Sequence, residues 1–231
     1  FKNAIASATA QFRLADNLDL KILPYYWYGY GNGGVQQKAL SETGFLNVAT
    51  GKIGAASDIN GDGDTLDTII VANASVTHTQ RPGITSSLTY SVGNHTILGG
   101  FWFERAKHDQ TGTAVRVSAD GVPNDYFLQD GKILRPDGVP YQSRNWKTIS
   151  TAYQAFLQDT FTMMDDRLTL NVGVRTPHIK RDFTNIGNEG FNSGVTYQIE
   201  KTYNDVLPQL GARYKLTADD QLYASVAKNM K

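Results

Sequence analysis

Gln154 to Arg175 reads QAFLQDTFTMMDDRLTLNVGVR, two arms of alternating apolar and polar residues joined at a Met-Asp-Asp corner. A period of two places successive side chains on opposite faces of an extended strand. The second arm therefore sets Leu168, Leu170, Val172 and Val174 on one face, with Met164 to Asp166 reversing the chain between the arms. Two residues break the first arm: Asp159 falls on its apolar face and Phe156 on its polar face.

The same alternation recurs on both sides of this hairpin, giving eight segments in all. Ala6, Ala8, Ala10, Phe12 and Leu14 share a face opposite Ser7, Thr9, Gln11 and Arg13, and the polar Ala15 to Asn17 turns the chain. Leu18, Leu20 and Ile22 follow, opposite Asp19 and Lys21, and run into PYYWYGYGNGG from Pro24. PGITSSLTYSV, from Pro82 to Val92, sets Ile84, Leu88, Tyr90 and Val92 against Thr85, Ser87, Thr89 and Ser91. Val92 to Asn94 is its turn, where Gly93 and Asn94 are expected to supply positive φ. HTILGGFWFERA from His95 is the fourth segment, and the opening arms are the fifth and sixth. VLPQLGARYKL from Val206 and QLYASVAKN from Gln221 flank the turn Thr217 to Asp220.

The connections are of two kinds. Turns inside each hairpin are about three or four residues, whereas the gaps between hairpins are roughly 45 residues from Gly31, about 40 from Lys107 and about 20 from Asp182, too long and too frequent for a compact soluble domain. Short turns at one end and long loops at the other are the pattern of an outer-membrane β-barrel, with periplasmic turns and extracellular loops. A soluble β-sandwich also alternates. Aromatic placement favours the barrel: Tyr25, Tyr26, Trp27, Tyr28 and Tyr30 cluster at the loop end of one segment, and Phe101, Trp102 and Phe103 at the loop end of another, as interfacial rings do.

Composition limits the alternatives. The 231 residues carry a formal net charge of +0 with Lys and Arg scattered along the chain, which argues against a nucleic-acid partner. No apolar run approaches the ~18 residues of a membrane helix. There is no cysteine, hence no disulfide framework and no thiolate chemistry. The chain begins without a leader pattern and ends within an alternating segment, so it reads as one partial barrel domain over residues 1–231, with no plug domain in it.

At these residues the chain resembles the barrel of TonB-dependent outer-membrane transporters. The likeness rests on FLQDTFTMMDDRLTLNVGVR, with Phe156, Gln158, Asp159 and Phe161, and on DVLPQLGARYKLTADDQLYASVAKN, with Leu207, Pro208, Gly211, Tyr214, Leu216 and Leu222 to Ser225; NHTILGGFWFERA is similar to an earlier strand. The resemblance implies a fragment of a 22-stranded, plugged barrel in the bacterial outer membrane. It implies uptake of a scarce nutrient, an iron–siderophore complex being the commonest cargo, without catalysis and with TonB acting through the plug. Outer-membrane lipid would be the other partner. Two other readings stay open: a surface or secreted β-rich binding or adhesion module with a calcium-stabilised loop, and a complete eight-stranded outer-membrane barrel.

The sharpest local motif is DINGDGDTLD. Asp58, Asn60, Asp62 and Asp64 stand at the 1, 3, 5 and 7 spacing of a calcium loop, with Gly63 at the sharp turn. Position 12 is Ile69, leaving Asp67 as the nearest substitute. These five form a candidate Ca2+ site; a solvated acidic turn is the plain alternative. No required cofactor is indicated. His78, His95, His108 and His178 show no metal-ligand spacing and read as loop or surface residues. Arg13, Lys21, Glu104, Arg175 and Arg213 would line the lumen if their apolar neighbours meet lipid. Tyr126, Phe127, Tyr141 and Trp146, with Arg175, are weak candidates for substrate contact.

Overall fold

The computed structural model describes residues 1–190 and 194–230. Among them are strands and connections and no helix. In chain order the strands are β1 Lys2–Ser7, β2 Ala10–Ala15, β3 Leu18–Asn32, β4 Gln36–Ser41, β5 Phe45–Asn47, β6 Lys52–Ala55, β7 Thr68–Asn73, β8 Val76–Val92, β9 His95–Val115, β10 Gln142–Met163, β11 Leu168–Asn185, β12 Tyr197–Asn204, β13 Leu207–Lys215 and β14 Gln221–Ala227. One antiparallel wall runs β1-β3-β8-β9-β10-β11-β13-β14, with β2 extending β1 along β3 and β12 extending β13 along β11. These are the eight expected wall positions.

The first and seventh positions are each divided by a proline opposite. Ala8 lies across from Pro24, which accepts a bond from the Ala8 N–H but has none to return. Asp205 faces Pro177 in the same way, and each missing donor interrupts the ladder. Among the described residues β14 does not pair with β1 or β2, so the wall is open. The closed eight-stranded barrel is therefore not the arrangement adopted.

Turns of two, four and five residues close one end. Gly93 has φ 56°, whereas Asn94 does not take positive φ; the turn needs only its first residue there, as glycine-first hairpins do. Met164, Asp165 and Asp166 have φ of 55°, 51° and 62°, and Arg167 N donates to Met164 O to close the corner.

At the other end the strands run on. β10 has 22 residues, roughly 70 Å at ~3.3 Å each, about twice what a tilted crossing of a ~25 Å apolar band needs. The long loops are thus shorter than expected and are themselves folded. β4 pairs with β7, and β7 joins the tip of β9 through Ala72 and Asn73. The β5–β6 hairpin lies in the same loop. Leu40, Phe45, Ile59, Val71, Ala114, Ile133 and Tyr141 pack into a buried cluster drawn from two of the loops. Arg135 pairs with the buried Glu189 at 3.6 Å, tying in the third.

Membrane character follows from which face stays bare. Directly paired residues share a face, so Leu20, Leu88, Gly99, Leu157, Val174 and Pro208 form one row across six strands, with Leu18, Tyr90, Ile97, Asp159, Val172 and Leu210 below it. Leu88, Phe101, Leu157, Val172, Leu210, Leu222 and Val226 on this face are all exposed, and no described element covers them. A soluble β module would need a second layer here. The buried apolar cores lie in the loops instead, an inversion that suits a wall facing lipid.

Aromatic rings border this band. His95 stacks on Phe161 near the turns, with ring centroids 4.3 Å apart, and Tyr153 stacks on His178 at 4.5 Å near the loops. The eight residues from Phe161 to Tyr153 give a band roughly 20 Å high at ~40° tilt. The aromatic clusters divide by alternation, so Tyr26, Phe101 and Phe103 share the bare apolar face while Tyr25, Trp27 and Trp102 lie on the opposite one. Only half of each cluster therefore borders the apolar face.

Both breaks in the opening hairpin have partners. Phe156 lies over its cross-strand neighbour Gly100, where a Cβ would overlap the ring, so the glycine is covered by an aromatic from the next strand. Asp159 Oδ2 meets His95 Nδ1 at 2.7 Å across the β9–β10 ladder.

Candidate functional site

The inner face carries a polar network at mid-wall. Glu104 on β9 is 8% exposed, and a carboxylate so placed needs charge and hydrogen bonds. Arg81 on β8 supplies Nε and Nη2 to Oε1 at 3.1 and 2.8 Å, and Nη2 also reaches Oε2 at 3.1 Å. The Tyr25 hydroxyl donates to Oε2 at 2.7 Å and accepts from Trp102 Nε1 at 2.9 Å. The Tyr25 ring occupies the space above Gly83, where a Cβ would collide with it. Strands β3, β8 and β9 are thus tied by one closed set of side chains.

Above the upper aromatic row, outside the membrane band, the inner face becomes basic and aromatic. Arg144 lies over the Trp146 ring at 4.8 Å and bonds to the Ser75 hydroxyl, while its Nε is buried without a partner. Trp146 Nε1 donates to Asn185 Oδ1 at 3.0 Å. Asn73, Ser75, Ser143, Arg144, Trp146 and Asn188 line an open cavity of about 320 Å³, within the size range of small-molecule clefts. Alternation places Arg181 and its partner Lys201 on this same face beside Phe183 and Tyr203. Lys201 Nζ lies 5.1 Å from the Tyr203 ring.

His108 belongs to this face and contacts the Thr79 hydroxyl through Nδ1 at 2.6 Å. Burial pushes its pKa below the ordinary imidazole value; Asp109 opposes the shift, and Arg181 and Arg144 reinforce it. Arg144, Arg181 and Lys201 therefore supply the fixed charge. Among the described residues, Glu104 is the one carboxylate on the inner face of β8 to β12, and Arg81 neutralises it.

The five expected substrate residues are not brought together. Tyr126 is exposed, and Phe127 packs on Tyr30 and under Lys2, both on the side of β3 away from the inner face. Tyr141 is 2% exposed inside the loop core, edge-on to Phe45, with its hydroxyl accepting from Lys38. Arg175 sits near Phe156 at mid-wall and donates to Asn229 Oδ1 at 3.3 Å. Trp146 alone lies in the basic cleft. Of the expected lumenal charges, Arg13 pairs with Asp19 at 4.0 Å, Arg213 donates to Thr169, and Lys21 stands on the same inward face. Arg144, Arg181 and Lys201 escaped sequence reading because they lie where strands were expected to have ended. Continuing the alternation of β10 past Ser150 and Trp146 to Arg144 would have found the first of them.

The acidic loop is compact. Asp58 accepts the N–H groups of Gly61 and Gly63, Asp62 accepts that of Asp64, and Asp64 accepts that of Leu66. Asn60 Nδ2 donates to Asp62 and Asp67 at 3.0 and 2.7 Å. Glu42, absent from the sequence motif, is fully buried against this loop and accepts from Ile59, Asn60 and Asp67 N–H groups. Ligand oxygens of Glu42, Asp64 and Asp67 lie within 4.8 Å of one another. The Asp64 N–H holds the Asp62 carboxyl below its ordinary pKa, whereas the Asp62 carboxyl pushes that of Asp67 up.

No curated protein sequence matches the chain. Similar folds occur in the ferric yersiniabactin uptake receptor FyuA from Yersinia pestis, with 15% identity over 96% of this chain and 27% of that one, TM-score 0.54. The ferric citrate transporter FecA, unliganded, gives 17% identity, 96% and 26% coverage, and TM-score 0.52. The closed form of the ferric-catecholate import receptor Fiu from E. coli K12 gives 17% identity, 97% and 32% coverage, and TM-score 0.63. The chain spans about a quarter to a third of these receptors' lengths. The family model for the TonB dependent receptor-like β-barrel matches residues 1–231 throughout. With its open antiparallel wall and folded loops, the chain belongs to the TonB-dependent receptor β-barrel family of the bacterial outer membrane.

Proposed function

We propose that the chain forms part of the wall and outer vestibule of a receptor that imports a scarce nutrient, and that its cargo is an anionic iron–siderophore complex. The observation carrying this reading is the charge of the upper inner face: Arg144, Arg181 and Lys201 stand among Trp146, Phe183 and Tyr203, and Glu104 is already neutralised by Arg81. Guanidinium and ammonium groups beside aromatic faces hold planar, oxygen-rich anions by charge-assisted bonds and stacking. The reading requires no bond-making at this face. TonB, acting through a plug outside this chain, would move the cargo onward.

The test is binding of ferric complexes of different charge to the full-length receptor. An anionic ferric chelate should bind, and replacing Arg181 and Lys201 by glutamine should weaken it roughly ten- to hundred-fold, the range of a lost charge-assisted bond. A neutral ferric hydroxamate bound more tightly, or an unchanged affinity in the double variant, overturns the reading.

The acidic loop supports a second proposal, that Asp58, Asn60, Asp62, Asp64 and Asp67 hold Ca2+ in an extracellular loop. Its support is Glu42, which approaches from outside the motif where Ile69 offers no carboxylate. Oxygen-only ligands at these spacings suit a hard cation. Ca2+ should protect this loop from proteolysis, and Asp62→Ala or Glu42→Gln should abolish that protection; an intact loop cleaved equally with and without Ca2+ ends the proposal.

A further inference from the structure

Arg144 reaches the basic cleft from an irregular stretch of backbone. Gln142 pairs with Thr113 and Asn145 with Thr111, so Ser143 and Arg144 together face Gly112 alone. Two residues against one is a β-bulge, which bends its strand and re-aims the side chains on it. Glycines on both sides let the bulge fit. A Cβ on Gly112 would overlap the Ser143 hydroxyl and crowd the Arg144 nitrogen, and one on Gly190 would overlap the Ser143 carbonyl. The backbone that carries Arg144 is thus closely approached from two directions.

A buried carboxylate holds this bulge. Ladder pairing between β10 and β11 ends at Trp146 and Asn185, and Ile186 N donates once more to Asn145 O at 2.9 Å. Beyond that point Glu189 replaces the ladder: its N–H donates to Gln142 O at 2.8 Å, and its Oε2 accepts from Gln142 N at 2.8 Å. The two residues exchange bonds as a hydrogen-bonded antiparallel pair does, with a carboxylate where a carbonyl would stand. The Glu189 side chain is 1% exposed, and a carboxylate so buried needs a counter-charge and donors. Arg135 Nη1 at 3.6 Å and Leu46 N at 3.4 Å supply them at Oε1. A charged acceptor makes a shorter and stronger bond than a carbonyl, so Glu189 fixes the entry of β10 more firmly than main-chain pairing would.

We propose that Glu189 is a positioning residue of the basic cleft: acting through Gln142, its carboxylate fixes the bulge of Ser143 and Arg144, and so the direction in which the Arg144 guanidinium meets an anion. Arg144 lies over the Trp146 ring and bonds to the Ser75 hydroxyl. It is therefore aimed before cargo arrives, and a site ordered in advance loses less free energy on binding. Glu189 itself touches no cargo. Arg135 offsets its charge, so it does not repel an anion in the cleft. This role rests on the cleft being the cargo site, a reading that Arg144→Gln tests by itself.

The experiment measures binding of an anionic ferric tris-catecholate to the full-length receptor, to Glu189→Ala, Glu189→Gln and Arg144→Gln, and to Glu189→Ala combined with Arg144→Gln. Arg135 also meets Asp137 at 3.1 Å, so removing Glu189 strands no guanidinium, and heat-modifiable gel mobility checks that each barrel is folded. Glu189→Ala should weaken binding roughly ten-fold, and the double variant should bind no more weakly than Arg144→Gln, because Glu189 acts through Arg144. Glu189→Gln keeps an acceptor for the Gln142 N–H and should lose less than Glu189→Ala. Additive losses, unchanged affinity in folded Glu189→Ala, or equal losses in the alanine and glutamine variants overturn the assignment. Hydrogen exchange of the unliganded receptor, read by mass spectrometry, needs no cargo: Glu189→Ala should speed exchange across residues 142–146 and leave the mid-wall of β10 as it was. Unchanged protection of residues 142–146 also overturns the assignment. A receptor that binds no anionic chelate, or binds it equally after Arg144→Gln, fails the cargo reading instead, and the exchange result still decides whether Glu189 holds the bulge.

Discussion

Replacing Arg81 by methionine tests whether the inner network holds three strands together. Arg81 makes three N–H contacts to Glu104, whose side chain is 10% exposed against 47% for Arg81. Removing it leaves a buried carboxylate with only the Tyr25 hydroxyl. Breaking a fully buried pair costs about 3–5 kcal/mol; because Arg81 is half in water, screening reduces this to about 2–3 kcal/mol. Urea unfolding of the full-length receptor in lipid vesicles, followed by tryptophan fluorescence, reads that loss as a lower midpoint. Adding Glu104→Leu to Arg81→Met should recover most of it, since the cost lies in the stranded charge and not in lost packing. An unchanged midpoint in Arg81→Met, or a double variant no more stable than the single one, refutes the reasoning.

Three further outcomes follow from the geometry. Val172→Arg on the lipid face should destabilise the barrel by about 2–4 kcal/mol, while Asn171→Arg one residue away should cost little, as read by the same unfolding midpoints. Gly100→Ala drives a Cβ into the Phe156 ring and the Ser86 carbonyl and should cost about 1–3 kcal/mol; adding Phe156→Ala relieves only part of this, because the carbonyl remains. For the acidic loop, protons compete with Ca2+, and the Asp62 carboxyl holds the pKa of Asp67 above the ordinary 3.8, so falling pH protonates Asp67 more readily than a free aspartate. Calcium affinity measured by calorimetry should therefore be full near neutrality and decline as pH falls into the carboxylate range, and Asp67→Asn should move the onset of that decline to lower pH.

The wall was legible in the sequence because lipid and lumen impose opposite polarity on adjacent residues, as at Leu168 to Arg175. What stayed hidden depended on register. Asp159 meets His95 and Phe156 covers Gly100 only because β9 and β10 pair as they do, and no local pattern encodes the pairing of segments so far apart in the chain. The strand breaks at Ala8 and Asp205 were equally invisible, since their cause is a proline on the neighbouring strand. Above the membrane both faces meet polar surroundings, so Lys107 and Asp109 alternate with His108 without a hydrophobic period to betray a strand. The basic cleft lies in that region, as does Glu42, which reaches the acidic loop through the β4–β7 fold.

Cysteine scanning across β11 reads directly whether one face of the wall meets lipid, because the chain has no native cysteine. A spin label placed singly at each position from Leu168 to Arg175 of the full-length receptor in bilayers reports collision with oxygen, which concentrates in lipid, and with a water-soluble nickel chelate. A wall with one face in lipid gives a period of two, with Leu168, Leu170, Val172 and Val174 accessible to oxygen and Thr169, Asn171, Gly173 and Arg175 shielded from lipid. Labels at Val172 and Val174 that meet the nickel chelate as freely as those at exposed loop positions, or accessibility without alternation, would contradict it.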